Sequence, residues 1–171
     1  MTEKNLLNGA ATASIAKHDR VLALANMCIG EGSNAMRIDE IARELEKTDG
    51  ISLVHVEPIP LDGRANLLFG GDLDAVRTAT RRGARLALRL INMKEHESPD
   101  QVTGALDSVA FHPLFAEDLE LVVSMAREFA AEISQELRLP IFLIGEAAEL
   151  PERRNGHRVN MVKYAGLRQY F

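Results

Sequence analysis

The residues of this sequence that are best suited to chemistry fall within the stretch 86–115. This stretch is typical of the end of a long helix, then a polar connection carrying His96 and Asp100, then a buried strand that begins near Gly104. Polar side chains at the end of a strand lie where layered α/β structures usually leave room for a ligand. A neutral imidazole suits proton abstraction near pH 7, whereas a carboxylate with an ordinary pKa of about 4 is a far weaker base.

A second pair of charged residues, Glu57 and Arg64, flanks a proline- and glycine-containing turn. The two side chains could meet across the strand ends and clamp the amine and carboxylate groups of an amino acid. The alternative is a surface ion pair, which would contribute little to stability. Glu31 stands in a glycine-flanked turn before a predicted helix, where it either contacts a ligand or serves only the start of the helix.

The remaining reactive residue types favour ordinary structural roles. The histidines show no metal-ligand spacing, and with a single cysteine we expect no metal site. Cys28 has no sign of an activated thiolate and is expected to be a small buried hydrophobe. His55 alternates with Leu53 and Glu57, which predicts a shared strand face and favours a satisfied strand histidine over a base.

One predicted helix carries a basic stripe. Its arginines fall four residues apart, at Arg77, Arg81, Arg85 and Arg89. Such a stripe could hold an anionic tail such as a polyglutamate, although a row of this kind is usually a solvated face.

The composition describes an ordinary single domain. The chain has 171 residues, of which 46% are hydrophobic and 26% charged, enough for one substantial core. A net charge of −5 argues against nucleic acid or an anionic membrane as partner. No apolar run approaches the roughly 20 residues that a bilayer span needs, and the N-terminus lacks the apolar core of a secretory signal. We therefore expect a cytoplasmic protein.

Hydrophobic periodicity predicts alternating strands and helices. The strands are predicted at residues 20–27, 51–57, 65–69, 106–114 and 140–144. The helices are predicted at residues 4–18, 35–47, 73–93, 116–137 and 159–170, with Ser33 or Asn34 capping the second and Asp72 the third. This order predicts an α+β sandwich with a mixed sheet and helices mainly on one face. We assign residues 1–19 to an N-terminal helical extension and residues 20–171 to one domain.

Several short motifs occur in the order of a known family. They are Gly30-Glu31-Gly32 with the following I-D-x-I helix, the wording I-N-M-x-x-H before T-G-A-L-D-S-V-A-F-H-P, G-E-A-A at residues 145–148, and K-Y-x-G-L at residues 163–167. Over roughly residues 21–168 the chain resembles the formiminotransferase N-terminal subdomain, found in glutamate formiminotransferase and formiminotransferase-cyclodeaminase. The resemblance implies a ferredoxin-like fold.

The resemblance also implies an activity, the transfer of a formimino group from formiminoglutamate to tetrahydrofolate. Asp100 falls at the position of the family's catalytic histidine, and Gln101 and Val102 replace the Pro and Arg that follow it. His96, four residues away, could substitute if this loop were rebuilt.

The same resemblance suggests substrate-binding positions. The family's acidic residue after the second strand corresponds to Glu57, and its N-R-T turn corresponds to residues 63–65, which include Arg64. Glu31 and Asp107 are further candidates, with an internal hydrogen-bond anchor as the alternative for Asp107.

The leading hypothesis is a formiminotransferase-like protein that is weakly active or inactive as a lone subdomain, with tetrahydrofolate as a possible cofactor and a folate or glutamate derivative as ligand. The family's C-terminal subdomain, which shares in folate binding, is expected to be absent. The rival is a non-catalytic binding or assembly module that keeps only the fold. In either case the surface left by the missing subdomain predicts a homodimer.

Overall fold

The computed structural model describes residues 20–96 and 102–154. Its main elements are β1 (Leu22–Ile29), α1 (Ala35–Glu46), β2 (Ser52–Ile59), β3 (Arg64–Asp72), α2 (Leu73–Leu90), β4 (Leu106–Pro113) and α3 (Leu119–Leu137). The helices predicted at residues 4–18 and 159–170 lie outside the described residues. Within the described part, no helix is long and apolar enough to cross a membrane.

The four strands form one sheet in the order β2-β3-β1-β4. With its two intervening helices this is the ferredoxin-like βαββαβ arrangement, so the predicted α+β class is confirmed. The sheet was expected to be mixed, but its three pairings are all antiparallel. The reason is that the two strands of each β-α-β unit are not neighbours: β3 lies between β1 and β2, and β1 lies between β3 and β4. Each intervening strand runs antiparallel to both of its neighbours.

The core lies between one face of the sheet and the helices. Ala25, Met27 and Ile29 of β1 are fully buried there, together with Leu67 and Phe69 of β3. Helix α1 buries Ile38, Ile41, Ala42 and Leu45, the spacing of an amphipathic helix. The helices therefore cover one face, as predicted, and we call the opposite side the helix-free face.

Gly83 in the middle of α2 lies in close contact with α1 and β1. A Cβ at this position would lie 2.6 Å from Cδ2 of Leu45 and 3.1 Å from Sδ of Met27. A side chain at this position would therefore require the buried ends of Leu45 and Met27 to shift.

Helix α3 is attached to α2 by charge as well as by apolar packing. Phe129 packs edge-on against Phe111 of β4, with ring centroids 5.7 Å apart. Along the other side, three arginines of α2 pair with three glutamates of α3: Arg77 with Glu128 and Glu132, Arg81 with Glu132 and Glu136, and Arg85 with Glu136. We call these six residues the ion-pair ladder. Most of the predicted basic stripe is thus an interhelical contact, which the sequence pattern alone did not predict.

Several local predictions need correction. Strand β3 continues through Gly70 and Gly71, which were predicted to end it, because both residues pair with β1. A side chain at Gly71 would collide with the carbonyl oxygen of Gly50. Residues 140–144 form no strand, since a short apolar run does not distinguish a strand from a packed loop. Asp72 precedes α2 without capping it and instead pairs with Arg20 at 3.2 Å.

Two further local features concern α1 and β2. Asn34 is confirmed as the cap of α1, its Oδ1 accepting from the backbone N–H of Arg37 at 3.2 Å. In β2 an irregularity between Leu53 and His55 shifts the register with β3. His55 therefore does not share the face of Leu53, contrary to the prediction, because the extra residue reverses the alternation.

The ion-pair ladder makes the stability of α3 dependent on pH and salt. The hydrogen bond from Arg77, together with the charges of Arg77 and Arg81, holds the pKa of Glu132 below its usual range. A carboxylate with a lowered pKa stabilises the fold at neutral pH and loses that contribution as pH falls through its folded-state pKa. We expect Glu132→Gln to lower the thermal unfolding midpoint at pH 7, with a difference that shrinks toward about pH 3 and in about 1 M salt.

Differential scanning calorimetry measures this effect. Glu40→Gln is the matched control, because Glu40 is exposed on α1 and makes no ion pair within the described residues. Equal destabilisation by the two substitutions, or a Glu132→Gln effect that is independent of salt, would contradict the assignment.

Candidate functional site at one end of the sheet

Four strand termini converge at one end of the sheet. Strand β1 ends there at Ile29, which is paired with Ala65 of β3 and Leu106 of β4. Strand β2 ends there at Ile59, which is paired with Arg64. The loops after β1, between β2 and β3, and before β4 therefore share one edge, which we call the site end.

Two glycines let these loops pack backbone against backbone. The N–H of Gly30 donates to the carbonyl of Ala105 at 3.1 Å. A Cβ on Gly30 would lie 2.5 Å from the carbonyl oxygen of Gly104, and a Cβ on Gly32 would lie 2.6 Å from the backbone nitrogen of Arg64. The Gly30-Glu31-Gly32 motif is thus needed for the close approach of three loops.

Polar side chains collect on the helix-free face near this end. Because side chains alternate along a strand, Cys28 faces away from the helices, as do its cross-strand partners Asn66 and Ser108. Glu57 of β2 pairs with Asn66 and lies on the same face, where its Oε2 accepts from Nδ2 of Asn66 at 3.1 Å.

Arg64 is oriented by its own turn. Its Nη2 donates to Oδ2 of Asp62 at 2.7 Å, across Gly63, whose φ of 64° is left-handed. The Asp62 hydrogen bond raises the pKa of Arg64 further above its usual range, so the guanidinium is always charged. The predicted pair of Glu57 and Arg64 therefore shares one end of the sheet, but each is held by a different partner.

Cys28 is buried near the charged side chains of Arg64 and Asp107. Burial, reinforced by the neighbouring carboxylate of Asp107, raises the pKa of the Cys28 thiol to about 12. The thiol stays protonated at neutral pH, so the expectation of an inert buried cysteine is confirmed.

Asp107 closes the turn that leads into β4. Its Oδ1 accepts from the backbone N–H of Thr103 at 2.6 Å and from its hydroxyl at 2.7 Å. These bonds correspond to the internal anchor that was the alternative role for Asp107.

Glu31 is engaged at the start of α1. It accepts from the backbone N–H groups of Ser33 and Asn34 at 3.1 and 3.0 Å and from Arg37 at 3.0 Å. Burial alone would raise the pKa of Glu31, but these donors outweigh it and hold the pKa below its usual range. Its contacts are those of a carboxylate that organises the turn before a helix.

His96 reaches the same turn as Arg64. Its Nε2 lies 2.8 Å from the carbonyl oxygen of Gly63, so this nitrogen donates when it carries the proton. Asp100 lies outside the described residues. Among the described residues, no group of His, Cys, Asp or Glu could hold a metal ion.

Three residues of this end were not predicted from the sequence: Asp62, Asn66 and Thr103. The spacing Asp62-Gly63-Arg64 could have indicated the first, because an aspartate two residues before an arginine in a glycine turn lies within reach of it. Asn66 and Thr103 depend on strand register and carried no local signal.

Comparison with known proteins gives a consistent set of relatives. The chain is 33% identical over 137 residues to formimidoyltransferase-cyclodeaminase of Mus musculus, covering 80% of this chain and 25% of the relative. It is 29% identical over 123 residues to glutamate formimidoyltransferase of Thermoplasma acidophilum, covering 72% and 41%. The chain thus spans about a quarter of the length of the first of these relatives. Residues 22–171 match the N-terminal subdomain of the formiminotransferase domain, and the protein belongs to that family.

Proposed function

We propose that this chain binds a folate and formiminoglutamate at the site end of the sheet, and that by itself it transfers the formimino group weakly or not at all. The observation that carries the proposal is the turn at residues 62–64, where Asp62 orients the guanidinium of Arg64 and His96 contacts Gly63. The family to which the chain belongs supports the choice of ligands.

The chemistry of the turn suits a glutamate derivative. A guanidinium binds a carboxylate through two parallel N–H donors, and a charged partner on one side pre-orients it. Arg64 is 37% exposed, so ligand atoms can reach it while Asp62 keeps its orientation. Glu57, exposed on the neighbouring strand, supplies an acceptor for N–H groups of the same ligand.

Proton abstraction is the weak step of the proposed reaction. The attacking folate nitrogen must lose a proton, and the family's histidine is replaced by Asp100 in the sequence. An ordinary aspartate is a poor base at neutral pH. His96 is the imidazole nearest in sequence, and Asp100 and His96 remain the two candidates for this role.

A second candidate function is a non-catalytic binding or assembly module. Two apolar side chains close to the site favour contact with another polypeptide: Leu61 in the turn before β3 is 89% exposed, and Met36 in the first turn of α1 is 79% exposed. We propose a homodimer in the cytoplasm for either function.

The binding proposal predicts saturable binding of tetrahydrofolate or folinic acid by calorimetry, followed by binding of formiminoglutamate in a second titration. Arg64→Gln should weaken formiminoglutamate binding roughly tenfold or more, since one charge-assisted pair is lost. Arg43→Gln, a 72% exposed arginine of α1, should leave the affinity unchanged. Absence of binding of both ligands would favour the assembly module instead.

Restoring the family's base should restore transfer. We expect Asp100→His to increase the rate of formiminoglutamate consumption about 100-fold over the unsubstituted chain, the usual contribution of a positioned general base. Asp100→Asn is the control and should show no such increase. Substantial transfer by the unsubstituted chain that disappears in His96→Gln would overturn the inactive part of the proposal.

The dimer proposal predicts a mass of twice 18.8 kDa by light scattering at tens of micromolar. Substituting both exposed apolar residues, as Met36→Ser with Leu61→Ser, should shift the mass toward the monomer. A strictly monomeric mass for the unsubstituted chain would exclude the homodimer.

A further inference from the structure

A groove runs along the helical layer between α1 and α2, and none of its lining residues belongs to the site end. It has a volume of about 570 Å³ and is lined by Glu44 of α1 and by Arg82, Arg85, Leu86 and Arg89 of α2. The groove is open to solvent, so a ligand there would lie along the surface of α2 rather than in an enclosed cavity. We call these five residues the arginine groove.

The three guanidinium groups of the groove lie on one stripe of α2. Residues 82, 85 and 89 follow the i, i+3, i+7 spacing of a helix face and extend over about 10 Å of its axis. Like charges on adjacent turns repel one another, so this arrangement is unfavourable unless anions neutralise it.

The protein's own carboxylates neutralise this stripe unevenly. Nε and Nη2 of Arg82 lie 2.9 and 2.8 Å from Oε1 of Glu44, whose Oε2 pairs with Lys47 at 2.9 Å. Arg85 pairs with Glu136 of α3 through Nε. Arg89 is exposed and makes no ion pair within the described part of the chain. The groove therefore lacks a counter-charge at its Arg89 end.

We propose that the arginine groove binds a linear oligophosphate, supplied either by a nucleoside triphosphate or by an inorganic polyphosphate. Each arginine has five N–H donors, so a carboxylate partner leaves donors of the same guanidinium for a second anion. An extended chain of phosphoryl groups matches a row of guanidinium groups about 10 Å long, whereas a single phosphate would meet only part of it.

Carboxylate ligands fit the groove less well. Glu44 and Glu136 already occupy two of the arginines as intramolecular partners, at a high effective concentration. A further carboxylate would use the remaining donors with one charge per group, while a phosphoryl group offers more negative charge and more acceptor oxygens to the same donors. The groove should therefore discriminate between polyphosphates and polycarboxylates of similar length.

Calorimetry with inorganic tripolyphosphate, ATP without magnesium, and a pentaglutamate peptide tests this proposal in low salt. We expect saturable binding of tripolyphosphate, about tenfold weaker in Arg89→Gln, because one charge-assisted contact is removed. Arg43→Gln changes the net charge equally but lies on the other helix and should alter affinity less than about twofold. Tighter binding of ATP than of tripolyphosphate would identify the nucleotide as the source, and equal or weaker binding the inorganic chain.

Three results would overturn the proposal: no saturable binding of either phosphate compound, pentaglutamate binding as tightly as tripolyphosphate, or equal losses in Arg89→Gln and Arg43→Gln. Because Arg89 is exposed and has no ion pair among the described residues, its substitution should leave the fold intact, and an unchanged circular dichroism melting curve checks this. The result is independent of the folate proposal, since the Arg64→Gln variant should bind tripolyphosphate normally.

Discussion

The burial of one sheet face beneath closely packed helices is the constraint on which the rest of this structure depends. The inward residues of β1 are fully buried, and at Gly83 a methyl group would fit only if the side chains of Leu45 and Met27 shifted. Because this face is filled by apolar side chains, the polar residues of the strands must project from the opposite face or cluster at the strand ends. The location of the candidate site follows from that separation.

At the site end, the same topology brings distant parts of the chain together. The antiparallel order ends two strands and begins the other two at one edge, and Gly30 and Gly32 allow their loops to touch through the backbone. Each charged side chain there is held by a local hydrogen-bond partner. Asp62 accepts from Arg64, Asp107 accepts from Thr103, and Glu31 accepts from the backbone at the start of α1. Among the charged candidates in the described residues, the side chains of Arg64 and Glu57 are accessible to solvent and bond to other side chains rather than to backbone groups.

Helix α2 uses its arginines in two directions. On one side Arg77, Arg81 and Arg85 form the ion-pair ladder that holds α3, which otherwise rests on a small apolar cluster around Phe129. On the other side Arg82 and Arg89 border the groove toward α1, which Arg85 also lines. A helix whose apolar stripe is committed to the core can thus use both flanks of its polar face for electrostatic contacts.

The amino-acid sequence by itself determined the order of the elements from β1 to α3, the fold class and the family. Helix α1 was predicted at residues 35–47 and runs from Ala35 to Glu46, with Asn34 as its cap, because hydrophobic periodicity and capping are properties of neighbouring residues. The tertiary structure alone decided that Arg64 pairs with Asp62 while Glu57 pairs with Asn66, that the basic stripe faces the glutamates of α3, and that β3 continues through Gly70 and Gly71. Those outcomes depend on strand register and on contacts between residues up to 55 positions apart, for which a local pattern contains no signal.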